Sequence, residues 1–274
     1  MSSDTLNQRF KELKKENLPA LLTYTVAGDP SKDISLEIFK SIADSGADII
    51  EVGLAHAACI GDGGEIQNSA YRSITSGIKT DDVFDIIRLF KNDYDNDIII
   101  MTYQNKIMAY GEENFLKKCV DSKVSGIICV DFPWPINLGF ANKCKDYSIT
   151  FIQLLSPTTS EERLKSILND SHSVCYYISQ LSTTGSKLKV TSEEIINKYN
   201  ALKTIAPDKN FIIGFGITID TIQSIKNVDA IVVGSALCKE ITKSVTDGQN
   251  PAINVGNMVK QLKEKLLRST GLQN

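Results

Sequence analysis

The sequence predicts an α/β chain closed into a (β/α)8 TIM barrel with an extra helix at its N-terminus. Eight short β-rich apolar runs alternate with helical segments, an order that makes parallel strands whose crossovers return to one sheet. A length of 274 residues suits a barrel with that strand count. No Ser/Gly/Pro tract or charge block marks a linker, so residues 1–274 are expected to form one domain. An open doubly wound sheet is the rival arrangement for the same pattern.

The segment before the first strand places Leu6, Phe10 and Leu13 on one face of an amphipathic helix and lacks the apolar core of a signal peptide. Ala20 to Ala27 (ALLTYTVA) reads as the first strand, closed by the turn Gly28-Asp29-Pro30. Ser31 to Ser45 carries Ile34, Ile38, Phe39 and Ile42 at helical spacing, and Gly46 is placed to end that helix. The second strand holds Ile49, Ile50, Val52 and Leu54. A helical region from Ile66 to Phe90 leads to the third, Asp97 to Tyr103 (DIIIMTY). Helical Glu112 to Ser122 precedes the strand Gly126 to Val130 (GIICV), and a weaker helix, Trp134 to Asp146, precedes Ile149 to Leu155 (ITFIQLL). Glu161 to Leu168 then leads to Val174 to Ile178 (VCYYI), and Ser192 to Lys203 to Asn210 to Ile213 (NFII). Ile219 to Ile225, the strand Ala230 to Val233 (AIVV) and the helix Ala252 to Leu267 complete the alternation.

Composition narrows the partners. Hydrophobic residues make up 42% and charged residues 23%, the balance of an ordinary soluble globule. A net charge of −3 leaves no basic footprint for nucleic acid or an anionic membrane. No apolar run approaches the roughly 20 residues that span a bilayer, and the cytoplasm is the expected location. The six cysteines are scattered without a CxxC pair and read as small apolar residues of a reducing compartment. His56-x-x-Cys59 beside Asp62 is the one spacing that suggests metal, but a closed zinc site needs four ligands and no second pair exists, so no metal is expected.

The loops after the strands of such a barrel form its functional face, and Glu51, Asp62, Asp131, Thr184-Gly185, Gly214-Phe215-Gly216 and Gly234-Ser235 all fall there. Glu51 stands inside an apolar strand, where an unpaired carboxylate costs several kcal/mol or must keep its proton. It reads as a functional acid, or else as a structural carboxylate bonded to backbone amides. Asp62, in a segment rich in glycine (Gly61, Gly63, Gly64), is a second acid able to face the same substrate, or a turn cap. The turns GFGI (Gly214 to Ile217) and VGSA (Val233 to Ala236) let backbone amides approach an anion, and a short helix from Ser235 would aim its positive end at it. Thr184 and Gly185 add amides and a hydroxyl. A substrate phosphate is the expected occupant; otherwise these glycines only permit tight turns.

Together AGDP (Ala27 to Pro30), GADIIEVG (Gly46 to Gly53), the DG and IQ within Asp62 to Gln67, MTYQN (Met101 to Asn105), DFP (Asp131 to Pro133), SPTT (Ser156 to Thr159), Thr184-Gly185, GFGI and VGSA resemble the tryptophan synthase alpha subunit (indole-3-glycerol-phosphate lyase) family, over nearly the whole chain. The resemblance implies aldol cleavage of indole-3-glycerol phosphate to indole and glyceraldehyde 3-phosphate, with no cofactor in this reaction. It also implies transfer of indole to a pyridoxal-phosphate β subunit within an α2β2 complex of tryptophan biosynthesis. It assigns catalysis to Glu51, Asp62 and Tyr176, and phosphate binding to Gly185, Gly216, Gly234 and Ser235 beside Thr184. Tyr24, Ile100 and Phe215, with Tyr176, are expected to form a flat, dry slot for the indole ring. The chain departs from the family between Gly53 and Asp62. Relatives there read close to VPFSDPLA, whereas this sequence has LAHAACIG, without either proline or the aspartate. Lys106 also replaces a proline, Ser182-Thr183 a Gly-Val, and Trp134-Pro135-Ile136 an acidic pair. Such a loop is expected to be mobile. The other readings are a stand-alone or altered-substrate lyase, and a non-catalytic paralogue that binds the β subunit or a phosphate metabolite.

Overall fold

The computed structural model describes residues 5–16, 18–179, 190–214 and 217–268. β-branched and aromatic runs bounded by turns form nine strands: β1 (Ala20–Val26), β2 (Ile49–Gly53), β3 (Asp97–Thr102), β4 (Gly126–Cys129), β5 (Thr150–Phe151), β6 (Gln153–Leu155), β7 (Val174–Ile178), β8 (Asn210–Gly214) and β9 (Ala230–Val233). Their order is β5-β4-β3-β2-β1-β9-β8-β7-β6, and every pairing is parallel. β5 and β6 are two pieces of the single fifth strand expected from sequence. Ile152 lies between them and its N–H donates to the Ile127 carbonyl at 2.8 Å, so the chain itself joins the two ends of the ladder. That junction closes the barrel and removes the open-sheet alternative.

Eleven helices among the described residues cover the strands: α1 (Thr5–Lys15), α2 (Lys32–Asp44), α3 (Gly64–Thr75), α4 (Thr80–Phe90), α5 (Gln104–Tyr110), α6 (Glu112–Asp121), α7 (Leu138–Asp146), α8 (Glu161–Asp170), α9 (Ser192–Ile205), α10 (Ser235–Thr246) and α11 (Pro251–Arg268). The helical region expected over Ile66 to Phe90 divides at Gly77, whose φ of 85° leaves the helical range. α7 begins at Leu138 rather than Trp134 because Pro133 and Pro135 cannot sit inside a helix. Ile219 to Ile225 gives only a 3-10 turn, Ile222–Ile225. None of the described helices is long and apolar enough to cross a membrane.

The two-residue period of the strands sorts side chains into an inner and an outer core. Leu22, Tyr24, Ile49, Ile99, Tyr176 and Ile212 fill the barrel, while Ile50, Val52, Ile100, Phe90, Phe115 and Phe211 pack between strands and helices. α1 plugs the bottom: Leu6 and Phe10 join the inner core, Arg9 meets Asp97 at 3.4 Å, and Lys14 meets Asp229 at 3.0 Å. At the other end, the fully buried Asp29 accepts from Arg72 Nε and Nη2, both at 2.7 Å, and from the Ser69 hydroxyl. The AGDP segment thereby anchors α3, the helix that begins two residues after Asp62.

Candidate active site

A cavity of about 400 Å³ opens at the carboxyl end of the strands. Tyr24, Glu51, Met101, Tyr176 and Val232 form its floor, and Gly234, Ser235 and Lys239 border it. Each tyrosine leans over the end of the neighbouring strand because that end is glycine. A Cβ at Gly53 would strike the Tyr24 hydroxyl, and one at Gly214 the Tyr176 hydroxyl.

Glu51 shares the inward face of β2 with Ile49, is 1% exposed, and its Oε2 finds no hydrogen-bond partner among the described residues. Burial, and then the charge of Asp62, push its carboxyl up to about 8. An uncharged carboxylic acid therefore stands in the cavity floor at neutral pH. Asp62 is half-buried. Burial raises it to about 6, while a hydrogen bond from Tyr103 and the proximity of His56 pull it back. The Tyr103 hydroxyl donates to Asp62 Oδ2 at 3.0 Å and accepts from the Gly61 N–H at 3.2 Å. Two carboxyls coupled by charge thus occupy different protonation states at pH 7, the arrangement that separates an acid from an anion-type stabiliser. Burial first, and then the acids, hold Tyr24 and Tyr176 well above the ordinary phenol range, so both remain protonated.

After β9, two strands round the barrel from β2, α10 begins at Ser235 without a side-chain cap, and Gly234, Ser235 and Ala236 line the cavity. The first amides of a helix have no intrahelical acceptor and carry the positive end of its dipole. Lys239, one turn along the same face, adds a cation. Sequence reading missed Lys239, although its spacing of four from Ser235 would have signalled it.

The structure corrects one slot residue. Ile100, expected against the indole ring, faces the helices within the outer core, and Met101, its neighbour on β3, lines the cavity instead. Strand alternation is the reason. Asp131 also lies apart from the cavity wall: its Oδ1 accepts from the Gln104 N–H at 2.6 Å and caps α5. Thr184, Gly185, Phe215 and Gly216 lie outside the described residues. His56 and Cys59 do not converge on a metal geometry with Asp62: among the described residues no three of His, Cys, Asp and Glu are grouped to hold a metal ion, and the His56 ring turns toward Tyr103 and Asn105.

A closed parallel barrel with a buried acid in the aromatic floor of its cavity, a second acid coupled to it by charge, and an uncapped helix N-terminus bordering the same cavity defines a TIM-barrel enzyme of proton-transfer chemistry. Comparison with known proteins sharpens this. Residues 10–267 match the family model for the tryptophan synthase alpha chain. The chain is 52% identical to the tryptophan synthase alpha chain of Pelagibacter ubique, covering 95% of this chain and 98% of that one. It is 31% identical to that of Methanosarcina barkeri, covering 98% and 100%. The crystal structure of the alpha subunit from Legionella pneumophila superposes with a TM-score of 0.88 at 26% identity, covering 96% and 98%. The chain belongs to the tryptophan synthase alpha chain family, whose members are carbon–carbon lyases of tryptophan biosynthesis.

Proposed function

We propose that Glu51 and Asp62 carry the lyase reaction of this chain, the cleavage of indole-3-glycerol phosphate to indole and glyceraldehyde 3-phosphate. The observation that supports it most is the buried, unpartnered Oε2 of Glu51 in the cavity floor. Protonated Glu51 donates to indole C3, and positive charge develops across C2 and the ring nitrogen. The Asp62 carboxylate accepts the ring N–H and stabilises that charge. Glu51, now ionised, takes the proton of the adjacent glycerol hydroxyl. The hydroxyl oxygen becomes an aldehyde, the bond to indole C3 breaks, and its electron pair restores the neutral ring. Glu51 ends the cycle protonated, as it began. No cofactor is required by these steps.

Tyr24, Tyr176 and Met101 supply the flat walls that keep the ring dry. Gly234 and Ser235, with Lys239 behind them, receive the phosphate at the start of α10, and Thr184, Gly185 and Gly216 join them on this reading. Residues 1–274 act as one domain in the cytoplasm. Partnership with a tryptophan synthase β subunit is supported by three exposed apolar side chains beyond successive strands: Ile60 after β2, Met108 on α5, and Ile136 after β4.

Release of indole from indole-3-glycerol phosphate by the purified chain, with and without a β subunit, tests the assignment. Turnover by wild type that is lost in Glu51→Gln supports it. Near-normal turnover by Glu51→Gln overturns it.

A further inference from the structure

The loop from Leu54 to Gly61 lacks the prolines usual in the family, yet it must deliver Asp62 to the cavity. Its ties run to one pair of rings. The His56 imidazole stacks on Tyr103 with centroids 4.8 Å apart and planes at 23°. One edge of the imidazole is bonded to the loop backbone, Nδ1 accepting the Ala58 N–H at 3.0 Å. The other edge reaches α5: with Nδ1 accepting, Nε2 carries the ring proton, and it lies 2.8 Å from the Asn105 side-chain amide, whose oxygen accepts that proton's hydrogen bond when the amide is turned about. Tyr103 completes the path, since its hydroxyl accepts a hydrogen bond from the Gly61 N–H and donates one to Asp62. Gly61 permits this approach: a Cβ there would lie 2.9 Å from Val130 Cγ1 and 3.3 Å from the Tyr103 hydroxyl. Both Ala58 and Gly61 are thus bonded to the stacked pair whose last contact is the Asp62 carboxylate.

We propose that His56 is a positioning residue of the reaction. Stacked on Tyr103 and in contact with Ala58 and Asn105, it holds the phenol so that the hydroxyl fixes the Asp62 carboxylate, the acid coupled by charge to Glu51. The inference rests on the assignment of Asp62 to the indole N–H.

The test compares kcat, KM and the thermal midpoint of wild type, His56→Ala, His56→Phe, Tyr103→Phe, His56→Ala/Tyr103→Phe and Asp62→Asn. His56→Ala is expected to lower kcat about tenfold, the effect of losing an anchor near the chemistry, with KM within about twofold and the thermal midpoint lowered by no more than a few degrees. His56→Phe, which keeps the stacking face, recovers to within about threefold of wild type. Because His56 acts through Tyr103, the double variant is no slower than Tyr103→Phe alone. An unchanged kcat in His56→Ala overturns the proposal, as does full additivity in the double variant, a His56→Phe enzyme as slow as His56→Ala, or a loss that follows the thermal midpoint. Asp62→Asn separates the two levels. If it retains turnover, the role of Asp62 itself fails; if it loses turnover while His56→Ala keeps it, only the positioning role fails.

Discussion

Glu51→Gln should make the protein more resistant to unfolding as pH rises, relative to wild type, while removing its activity. In the unfolded chain the Glu51 carboxyl titrates near its ordinary value of 4.5, whereas burial holds it at about 8 in the folded state. Between those values the folded protein binds a proton that the unfolded chain has released, so wild-type stability falls as pH rises. This contribution is fully present below pH 4.5, is lost progressively up to pH 8, and is constant above that. Each unit costs about 1.4 kcal/mol, which gives about 3 kcal/mol between pH 5.5 and 8. Glutamine does not titrate. Its buried amide adds a penalty of roughly 1–3 kcal/mol that does not depend on pH. The difference in thermal midpoint between variant and wild type should therefore move in favour of the variant by roughly 6 °C between pH 5.5 and pH 8, at about 2 °C per kcal/mol for a chain of this size. Thermal unfolding of both proteins across that range, without ligand, is the measurement. Two curves that stay parallel would show that Glu51 is ionised in the folded state and would remove its role as the proton donor to indole C3.

The same two carboxyls set the pH profile. Activity needs Asp62 ionised and Glu51 protonated, so kcat/KM of the chain should be bell-shaped, rising near pH 6 and falling near pH 8; a profile flat across that range contradicts the division of roles. Ser235→Asp should weaken binding of glycerol phosphate at least tenfold in calorimetry, because it sets a negative charge at the exposed start of α10 and leaves the core untouched. Unchanged affinity would move the phosphate elsewhere. Arg72→Met strands the buried Asp29 carboxylate and should cost about 3 kcal/mol of stability by chemical denaturation.

The barrel was legible because its signals are periodic: buried parallel strands are continuous apolar runs, and the helices between them carry one apolar stripe. What escaped has local physical reasons. α5 (QNKIMAY) buries only Ile107, so it has no stripe to find, and its start is set by Asp131, a cap from the turn after β4. The fifth strand reads as one run, because the hydrogen bond that interrupts it at Ile152 leaves no mark in residue type. Glu51 was legible as a charge in the wrong place. Ile100 was misplaced for the opposite reason: in a strand buried on both faces, Ile98, Ile99, Ile100 and Met101 all look alike, and only the register of β3 with β2 tells which of them faces Glu51. Ile99 is that partner, which sends Ile100 outward.

The loop before Asp62 sets chain entropy against contacts that composition does not display. Replacing two prolines raises the entropy the open chain must lose, about 0.4–1 kcal/mol at each position, and from sequence alone that argues for a loosely held acid. The folded loop meets this with contacts composition does not display: the Ala58 bond to His56, the His56 pairing with Asn105, the stack on Tyr103 and the Gly61 bond to its hydroxyl. At roughly 0.5–1.5 kcal/mol for each hydrogen bond, these match or exceed the entropy lost with the prolines. The two devices still differ in kind. Proline restricts the chain wherever the rest of the site stands, whereas the ring pair restricts it only through Tyr103, the same residue that bonds Asp62. Order in this loop and placement of the acid are therefore one event, so a perturbation of the ring pair should reach catalysis before it reaches stability.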